Sequence, residues 1–531
     1  MTPILANSLW LAGCLPELAR FRRAATRVRA EQAAVLRQLI AANARSEFGR
    51  QHGFRDLRSV DDYRARVPLA SFEDLAPSID RAAAGTGNVL TGDRIKLFEP
   101  TSGSSGPTKL IPSTAALQRE FQRGIRPWIA NLFLAYPELM AGQAYWSITP
   151  SVTARRRTLG GIPVGFDDDS AYLGGWQQRL VRSVMVAPTT IDRPADTEAF
   201  LYQTLLALVR AAKLRLISIW SPTFLSLLVE RLPAWGEALE RDLRGDGRAG
   251  ARLKAALTAR TPAERNQVLW PHLGLISCWA DANATAAAAH LSTLFPHVRM
   301  QGKGLIATEG FVSLPWIGRE GSALAVRSHF LEFAPVGAVE DINETELRLA
   351  DELEAGRRYA VILSTGGGLY RYRLGDVVEV VGFLAECPLV RFVGRSGYVS
   401  DWFGEKLNEA HVARVLSAAF ERCAIGPSFA MLACDTTLSP PAYVLYLDAA
   451  APDSHLEHAI NAIEGDLRAN FQYDYARRLG QLGPARVVRS PGAARVHLAA
   501  AIEGGGRAGG VKPLALDRRD GWSRKFGLSI C

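Results

Sequence analysis

The stretch that organises this chain is Phe98–Pro112, which reads FEPTSGSSGPTKLIP. Small hydroxyl residues and flexible glycines stand ahead of a single lysine, Lys109. A loop of this composition can turn several backbone N–H groups inward as a nest for anionic oxygen, and the lysine adds a full positive charge. It is not a Walker loop, because only two residues separate Gly103 from Gly106. The stretch therefore indicates a phosphate-binding loop, and the alternative is a Ser/Gly-rich surface turn.

Length and composition set the general class of the protein. The chain has 531 residues, too many for one hydrophobic core, so two or more domains are expected. Its 48% hydrophobic and 22% charged residues are typical of a globular protein. The six cysteines include no C-x-x-C pair, and the nine histidines include no H-x-x-x-H pair. This argues against a disulfide framework or a zinc site, and a reduced, cytoplasmic compartment fits best.

The net charge of +9 raises the question of nucleic acid. The basic residues are spread along the chain among acidic ones, so no nucleic-acid partner is expected, and a basic nucleic-acid binder is the most distant alternative. No run of 18 apolar residues occurs, so no membrane partner is expected either. Leu11–Cys14 resembles a lipoprotein cleavage box, but no Lys or Arg precedes it, and an N-terminal amphipathic helix is the preferred interpretation.

Strand and helix patterns alternate over the first 300 residues. Residues 16–47 and 113–137 have helical spacing, and Leu214–Trp220 is a buried-type strand followed by a helix at Thr223–Arg231. The helix after Pro112 would begin directly beyond the phosphate-binding loop. Repeated β-then-α order predicts a parallel sheet with helices packed on it.

After residue 320 short strands follow one another, which predicts a smaller antiparallel part. The expected fold is α/β, with a large N-terminal domain of mixed or parallel sheets and helices at residues 1–395. Its β-rich part covers about residues 320–395. A small α+β domain follows at residues 396–531, and Gly394, Gly397 and Gly404 indicate a hinge where it begins.

Two further segments place carboxylates beside glycines. Gly302–Gly310, GKGLIATEG, carries Thr308 and Glu309 at a strand end, where a carboxylate can share Mg²⁺ with phosphate oxygens. Asp376 follows a glycine in YRYRLGD, and in a tight turn it could pair with two vicinal ribose hydroxyls. The alternatives are a plain polar turn for the first segment and a hairpin aspartate paired with Arg373 for the second.

Taken in order, these segments resemble the adenylate-forming superfamily of acyl-CoA synthetases, nonribosomal-peptide adenylation domains and luciferase. They are more similar to the Gretchen Hagen (auxin-responsive) family of acyl acid amido synthetases, in its bacterial form. The resemblance covers most of the chain and is carried by Ser46–Phe54, Phe98–Pro112, Tyr145–Asp169, Gly302–Gly310, Tyr370–Asp376 and Gly394–Leu407.

The resemblance implies a ligase that uses ATP and Mg²⁺. A small-molecule carboxylic acid would form an acyl adenylate, and an amine of the amino acid type would then take the acyl group as an amide. The catalytic residues implied are Lys109, Glu309 and Lys512, with Glu309 also the metal ligand. The implied nucleotide-binding residues are Thr101, Ser102, Gly103, Ser104, Ser105, Gly106, Lys109, Gly304, Thr308, Glu309, Asp376, Phe392 and Arg395.

The resemblance also implies motion, since the C-terminal domain would rotate about residues 395–397 between the two steps. Lys512, which by itself is an ordinary surface lysine on a turn, would swing in for adenylation. Candidate walls of the acid pocket are four aromatic residues that would otherwise be core: Trp146, Phe166, Trp220 and Phe224.

Departures from the superfamily pattern occur at Gly397, Asp401 and His411, and they leave the hinge geometry and the second substrate open. One rival hypothesis is an acyl-CoA ligase that forms a thioester from the same acyl adenylate. A rival from a different class is a non-catalytic binding protein that kept the fold.

Overall fold

The computed structural model describes residues 2–101, 109–146, 156–165, 184–186, 197–337, 342–396, 399–503 and 508–528. Some residues singled out in the sequence lie outside this part of the chain: Ser102–Gly106, residues 147–155 and 166–169 of Tyr145–Asp169 (among them Phe166), Gly397 and, for its side chain, Thr101.

The chain forms two compact units. The first unit comprises Met1–Ser218, His272–Ser277 and Gln301–Phe392, and the second comprises Ile219–Pro271, Cys278–Met300 and Val393–Cys531. The sequence-based limits at residues 1–395 and 396–531 stay a prediction. The second unit contains all of the latter segment, residues 393–395 before it, and residues 219–271 and 278–300.

Helices dominate the beginning of the first unit. They are α1 (Pro3–Ala24), α2 (Val28–Asn43), α3 (Glu47–Gln51), α4 (Val60–Arg66), α5 (Phe72–Ala83), α6 (Ala115–Ala135) and α7 (Thr197–Arg210). The helical stretch expected at residues 16–47 is two helices with a short break. Buried residues of α1 recur at helical spacing, and Trp10 meets Phe133 of α6 edge to face at 5.6 Å. Within the described residues no helix is long and apolar enough to span a membrane.

Ser71 is the N-cap residue of α5. Its hydroxyl accepts a hydrogen bond from the backbone N–H of Asp74, and the Asp74 carboxylate accepts one from the backbone N–H of Ser71. This capping box satisfies donors that the first helical turn leaves unpaired. It also fixes the positions of Phe72 and Glu73, the two residues of α5 that contact Lys109.

Two four-stranded sheets lie in the first 302 residues. One has the order β2-β1-β5-β4, from β1 (Ile95–Thr101), β2 (Lys109–Thr114), β4 (Arg156–Arg157) and β5 (Pro163–Val164). The other has the order β3-β6-β7-β8, from β3 (Gln143–Trp146), β6 (Leu214–Ser218), β7 (Leu275–Cys278) and β8 (Arg299–Gly302). The pairs β3–β6 and β6–β7 are parallel, which confirms the predicted parallel sheet.

A seven-stranded sheet confirms the predicted β-rich part. Its order is β12-β11-β13-β14-β15-β10-β9, and the recorded pairings are antiparallel. The strands are β9 (Ser313–Pro315), β10 (Ser322–Leu324), β11 (Phe330–Pro335), β12 (Arg348–Leu349), β13 (Arg358–Ser364), β14 (Tyr372–Leu384) and β15 (Cys387–Arg395).

The second unit is also mixed α/β. Its helices are α8 (Pro222–Glu230), α9 (Leu232–Asp242), α10 (Gly247–Leu257), α11 (Pro262–Leu269), α12 (Thr285–Leu294), α13 (Glu409–Arg422), α14 (Asp453–Leu467), α15 (Phe471–Arg478), α16 (Ala493–Glu503) and α17 (Trp522–Lys525). A short hairpin joins β16 (Val399–Ser400) to β17 (Leu407–Asn408). A mixed sheet has the order β20-β19-β18-β21, from β18 (Phe429–Asp435), β19 (Ala442–Asp448), β20 (Arg486–Arg489) and β21 (Leu516–Asp517).

Candidate active site

Lys109 stands at the first position of β2, where it pairs with Thr101 of β1 in the antiparallel ladder. The Ser/Gly stretch therefore connects two neighbouring strands of one hairpin. The helix expected directly after Pro112 begins only at Ala115, because residues 109–114 form a strand. The expected helix is present, and its first residue lies two positions later than predicted because Ser113 and Thr114 belong to β2.

The ammonium group of Lys109 contacts two residues of α5. Its Nζ lies 3.1 Å from Glu73 Oε1 and 4.9 Å from the ring centroid of Phe72. The Glu73 side chain is 71% exposed, so this ion pair is weakly held and its partner can be exchanged for another anion.

Thr308 and Glu309 form the tip of a tight turn. Ala307 and Gly310 exchange both backbone hydrogen bonds, at 3.0 and 3.2 Å, which leaves the two residues between them at the bend. Glu309 is buried and Thr308 is half-buried. The turn thus presents one hydroxyl and one carboxylate side by side, as the sequence suggested.

Gly304 sets the base of this hairpin. Its φ of +37° lies in the left-handed region, and a Cβ added there would stand 2.5 Å from the carbonyl oxygen of Ser313. The next residue, Leu305, donates its backbone N–H to Ser313 Oγ at 2.8 Å. Only glycine fits this close approach of two backbone segments.

The hairpin and the turn meet in the first unit. Thr308 lines a small pocket together with Glu99 of β1, Ile111 and Ser113 of β2, and Phe121 of α6. Two of the segments selected in the sequence, far apart along the chain, are therefore neighbours in the fold.

Asp376 lies on a bulge of β14. Ile362 pairs with Arg373 and Ala360 pairs with Val377, so β14 advances four residues while β13 advances two. Gly375 takes a φ of +81° inside the bulge, and the following Asp376 is buried. The expected tight turn is therefore a bulge in a continuous strand. Arg373 does not pair with Asp376 as the alternative proposed, because its guanidinium holds Glu344 at 2.5 and 2.7 Å.

In the second unit, Lys512 lies beside two tryptophans. Its Nζ is 5.8 Å from the ring centroid of Trp279, and this ring is 5.8 Å from that of Trp220. The backbone N–H of Trp279 donates to the carbonyl of Trp220 at 2.9 Å, which ties the ends of the two strands together.

The carboxyl of Glu409 is buried in the same unit, and two positively charged residues act on it. Glu409, the first residue of α13, accepts a 2.7 Å hydrogen bond from Asn283 Nδ2. Burial raises the pKa of Glu409 to about 7, while Arg395, the backbone of Ala515 and Lys512 act in the opposite direction. Two of the predicted functional residues, Arg395 and Lys512, therefore act on one carboxyl.

The aromatic residues proposed as pocket walls occupy different settings. Trp146 is half-buried and lies 6.0 Å from the Trp10 ring and 5.9 Å from the Trp128 ring. Trp220 is half-buried, and Phe224 is fully buried in α8 of the second unit. Phe392, proposed to bind nucleotide, is half-buried in β15.

Comparison with known proteins identifies the family. A family model described as the GH3 family N-terminal domain matches residues 17–300, more than half of the chain, and one described as the GH3 family central domain matches residues 322–395. The chain belongs to the GH3 family. The family and the α/β fold expected from the sequence are thereby confirmed.

Relatives of this GH3 protein include plant ligases. The probable indole-3-acetic acid-amido synthetase GH3.4 of Oryza sativa subsp. japonica is 26% identical over 472 residues, covering 80% of this chain and 74% of the relative. Indole-3-acetic acid-amido synthetase GH3.10 of Arabidopsis thaliana is 24% identical over 522 residues, covering 85% and 86%. A solved structure described as AtGH3.15 acyl acid amido synthetase in complex with 2,4-DB superposes with a TM-score of 0.80 at 19% identity, covering 97% and 96%.

The donors of the GH3 protein fit a magnesium ion that is shared with phosphate. Among the residues that the structure describes, no group of three or more His, Cys, Asp or Glu side chains could form a metal cage. Mg²⁺ commonly takes only one or two protein carboxylates and fills its remaining positions with phosphate oxygens and water. Glu309 at the tip of its turn, beside the Thr308 hydroxyl, matches that requirement.

Sequence reasoning missed several polar residues of the GH3 protein whose hydrogen-bond partners lie far away in the chain. Glu409 looks like an ordinary first-turn acid of a helix, and Asn283 lies in a short 3₁₀ segment without a motif. Glu120 of α6 pairs with His329, the residue before β11, and His329 accepts a hydrogen bond from the backbone N–H of Phe311. Glu409 and Asn283, and likewise Glu120 and His329, are more than a hundred residues apart in the chain, and His329 is 18 residues from Phe311. No local pattern could have revealed these contacts.

Proposed function

We propose that this GH3 protein joins a carboxylic acid to an amine in two steps that consume ATP. It is an amide-forming ligase. A carboxylate oxygen of the acid bonds to the α-phosphorus of ATP, and the bond from that phosphorus to the bridging oxygen of pyrophosphate breaks. The amine nitrogen then bonds to the acyl carbon, and AMP leaves with the oxygen that the acid had supplied.

Family membership over residues 17–300 and 322–395 is the observation that carries this proposal. The packing of Thr308 against the β1–β2 hairpin supports it. Lys109 begins β2, and Ile111 and Ser113 of the same strand line the pocket with Thr308, so the lysine proposed for phosphate and the turn proposed for Mg²⁺ belong to neighbouring elements. Relatives named as amido synthetases at 24–26% identity support an amine acceptor rather than coenzyme A.

Roles are proposed residue by residue. The backbone and hydroxyl groups of Thr101 and Ser102–Gly106 would hold the phosphates, and Lys109 would exchange Glu73 for a phosphate oxygen. Glu309 would hold Mg²⁺, which neutralises phosphoryl charge when bound, and Thr308 would donate to a phosphate oxygen. Further nucleotide contacts are proposed for Gly304, Asp376, Phe392 and Arg395, with Asp376 on the ribose.

Positioning and charge carry most of the rate in this proposal. Phosphoryl and adenylyl transfer require little covalent chemistry from the protein, so aligned cations and hydrogen-bond donors supply the stabilisation. Lys512 would be the second lysine to meet the developing charge. Removal of one such contact is expected to lower the rate about 10²–10³-fold.

The acid is proposed to be aromatic. The relatives are named for indole-3-acetic acid, and the solved relative was crystallised with 2,4-DB. Trp146, Phe166, Trp220 and Phe224 remain the proposed walls of its pocket. An amino acid is the proposed amine.

Acid-dependent exchange of pyrophosphate into ATP tests the first step. A panel of aryl and fatty acids is offered, with Lys109→Ala as the control. Exchange with at least one acid that Lys109→Ala lowers a hundredfold or more supports the proposal. Exchange with no acid in the panel contradicts it.

The same acid then tests the second step with an amino acid panel and with coenzyme A. AMP release that depends on an amino acid and not on coenzyme A supports amide formation. Release that depends on coenzyme A alone would show a thioester-forming ligase instead.

A further inference from the structure

A buried histidine and a glutamate stand behind the Thr308–Glu309 turn. His329 precedes β11 and its side chain has no exposed surface, while the Glu120 side chain, from α6, is 12% exposed. Neither residue belongs to a sequence motif, and neither is close enough in the chain to the turn for a local role. Their contacts are therefore long-range features of the fold.

The hydrogen bonds of His329 define the state of its ring. The backbone N–H of Phe311 donates to His329 Nε2 at 2.9 Å, so Nε2 must be the unprotonated nitrogen. The proton is then on Nδ1, which donates to Glu120 Oε2 at 3.0 Å. The ring thus links a carboxylate on α6 to the backbone of the residue that follows Gly310.

Glu120 is held from a second side. Both of its carboxylate oxygens accept from the backbone N–H of Gly366, at 3.0 and 2.9 Å. The carbonyl of Gly366 in turn accepts from Thr114 Oγ1 at 3.0 Å, at the end of β2. The glutamate is therefore fixed between the glycine-rich loop after β13 and the strand that begins with Lys109.

The histidine is fixed by its backbone as well as its ring. Gln32 of α2 donates its amide to the carbonyl of His329 at 2.8 Å. The contact with the turn is also close, because a Cβ added to Gly310 would lie 3.1 Å from His329 Cδ2 and Nε2. The ring therefore packs directly against the backbone that follows Glu309.

We propose that Glu120 and His329 are positioning residues that hold the Thr308–Glu309 turn in the geometry needed for a phosphate-bound magnesium ion. The inference rests on the proposed function of that turn. Groups that orient a metal-binding residue typically contribute 10–100-fold to metal affinity or activity. His329 acts on the turn through the Phe311 amide, and Glu120 acts by fixing the ring and its tautomer.

Two substitutions of His329 separate the two hydrogen bonds. His329→Gln can place an acceptor where Nε2 lies and so keep the bond from Phe311. His329→Asn can place a donor where Nδ1 lies and keep Glu120, but it offers nothing to Phe311. Glu120→Gln is a third variant, which keeps the shape of the side chain and removes its charge.

His497→Asn is the matched control, because His497 is another buried histidine but belongs to the second unit. Its loss can lower stability without touching the turn. It separates a general cost of losing a buried imidazole from an effect on the turn.

The first readout needs no ligand. Hydrogen–deuterium exchange of peptides covering residues 305–313 should accelerate about tenfold in His329→Asn and stay near wild type in His329→Gln and His497→Asn. The second readout is the Mg²⁺ concentration at which ATP binding is half-maximal, measured without any acid so that no turnover occurs. It should rise about tenfold in His329→Asn, with an intermediate rise in Glu120→Gln.

The outcomes separate a failure of this inference from a failure of the proposed function. Unchanged exchange at residues 305–313 in both His329→Asn and Glu120→Gln overturns the inference, whatever the protein binds. Faster exchange with an unchanged Mg²⁺ requirement also overturns it, because the turn would then not serve the ion. A wild-type protein that binds no ATP sinks the proposed function instead, while faster exchange in His329→Asn would still establish that the histidine holds the turn.

Discussion

Asn283 Nδ2 donates a 2.7 Å hydrogen bond to the carboxyl of Glu409, a side chain that is almost completely buried. The pair joins a short 3₁₀ segment to the start of α13 within the second unit. Burial is the largest influence on this carboxyl and raises its pKa from 4.5 to about 7. Arg395 and Lys512 are the charged groups that oppose the rise, so the protonation of Glu409 changes the field at both of them.

Glu409 should make the second unit less stable as the pH rises. In the unfolded chain the carboxyl loses its proton near pH 4.5, whereas in the folded chain it keeps the proton up to about pH 7. The folded state then binds more protons in this window, so its contribution to the free energy of unfolding is greatest below pH 4.5 and is lost by about pH 7. The loss is on the order of 3 kcal/mol.

Glu409→Gln should remove this dependence while it keeps an acceptor for Asn283. The free energy of unfolding of the variant, relative to wild type, should rise between pH 4.5 and 7 and level off above that. Glu421→Gln, at an exposed position on the same helix, is the control, and its free energy of unfolding relative to wild type should change much less with pH. Parallel pH profiles for wild type and Glu409→Gln would contradict the burial argument.

Pyrophosphate exchange should depend on the charge of Lys109 and not on its ion pair with Glu73. Lys109→Met is expected to lower pyrophosphate exchange about 10²–10³-fold, because a phosphate oxygen loses its cation. Glu73→Gln removes only an exposed ion pair, worth about 0–1 kcal/mol, and should change the exchange rate less than threefold. Equal losses in the two variants would mean that the pair is structural.

Arg371 should be a stability residue with a large effect. Its guanidinium is buried, holds Glu332 at 3.0 Å, and donates to the carbonyls of Arg64 and Val67. Arg371→Met should cost about 3–5 kcal/mol of unfolding free energy, because it removes one partner of a buried ion pair.

Arg373→Met is the matched control two residues away. Its pair with Glu344 is about one-third exposed on each side, so the expected cost is about 0–1 kcal/mol. Denaturant unfolding of both variants measures the contrast. Similar losses in the two would contradict the assignment of Arg371 to the buried framework.

Gly304→Ala should damage the Thr308–Glu309 turn. The new methyl would meet the carbonyl oxygen of Ser313 at 2.5 Å, and a backbone atom cannot move aside cheaply. We expect pyrophosphate exchange to fall at least tenfold, about the effect of a displaced catalytic group.

Gly318→Ala isolates the backbone strain from the contact. Gly318 also has a positive φ, +79°, but a Cβ there meets nothing within 4 Å. It should cost about 1–3 kcal/mol of stability and leave the exchange rate unchanged. A comparable loss of exchange in both variants would show that strain alone explains the effect at Gly304.

Sequence reasoning succeeded where a feature is local. The order of strands and helices follows from periodicity. Thr308 and Glu309 could be singled out because a hydroxyl and a carboxylate are neighbours in a glycine-containing segment, although they were expected at a strand end. The family could be named because its segments recur in a fixed order.

Features that depend on long-range pairing were not predictable. The alternative for Asp376 paired it with Arg373, its neighbour in the chain, whereas the ladder with β13 makes the segment a bulge and Arg373 pairs with Glu344. Lys109 was predicted to lie in a loop, whereas its pairing with Thr101 of β1 makes it the first residue of β2. The burial of Glu409 arises only when Asn283 and Ala515 are folded against it.

Transfer of oxygen-18 from the acid tests the central claim most directly. An acid that is a substrate, labelled at both carboxylate oxygens, is incubated with ATP, Mg²⁺ and an amine substrate. The masses of the products are then measured by mass spectrometry. Formation of an acyl adenylate requires that AMP carry one labelled oxygen and that the amide keep the other. Unlabelled AMP, or label found in inorganic phosphate beside ADP, would contradict it.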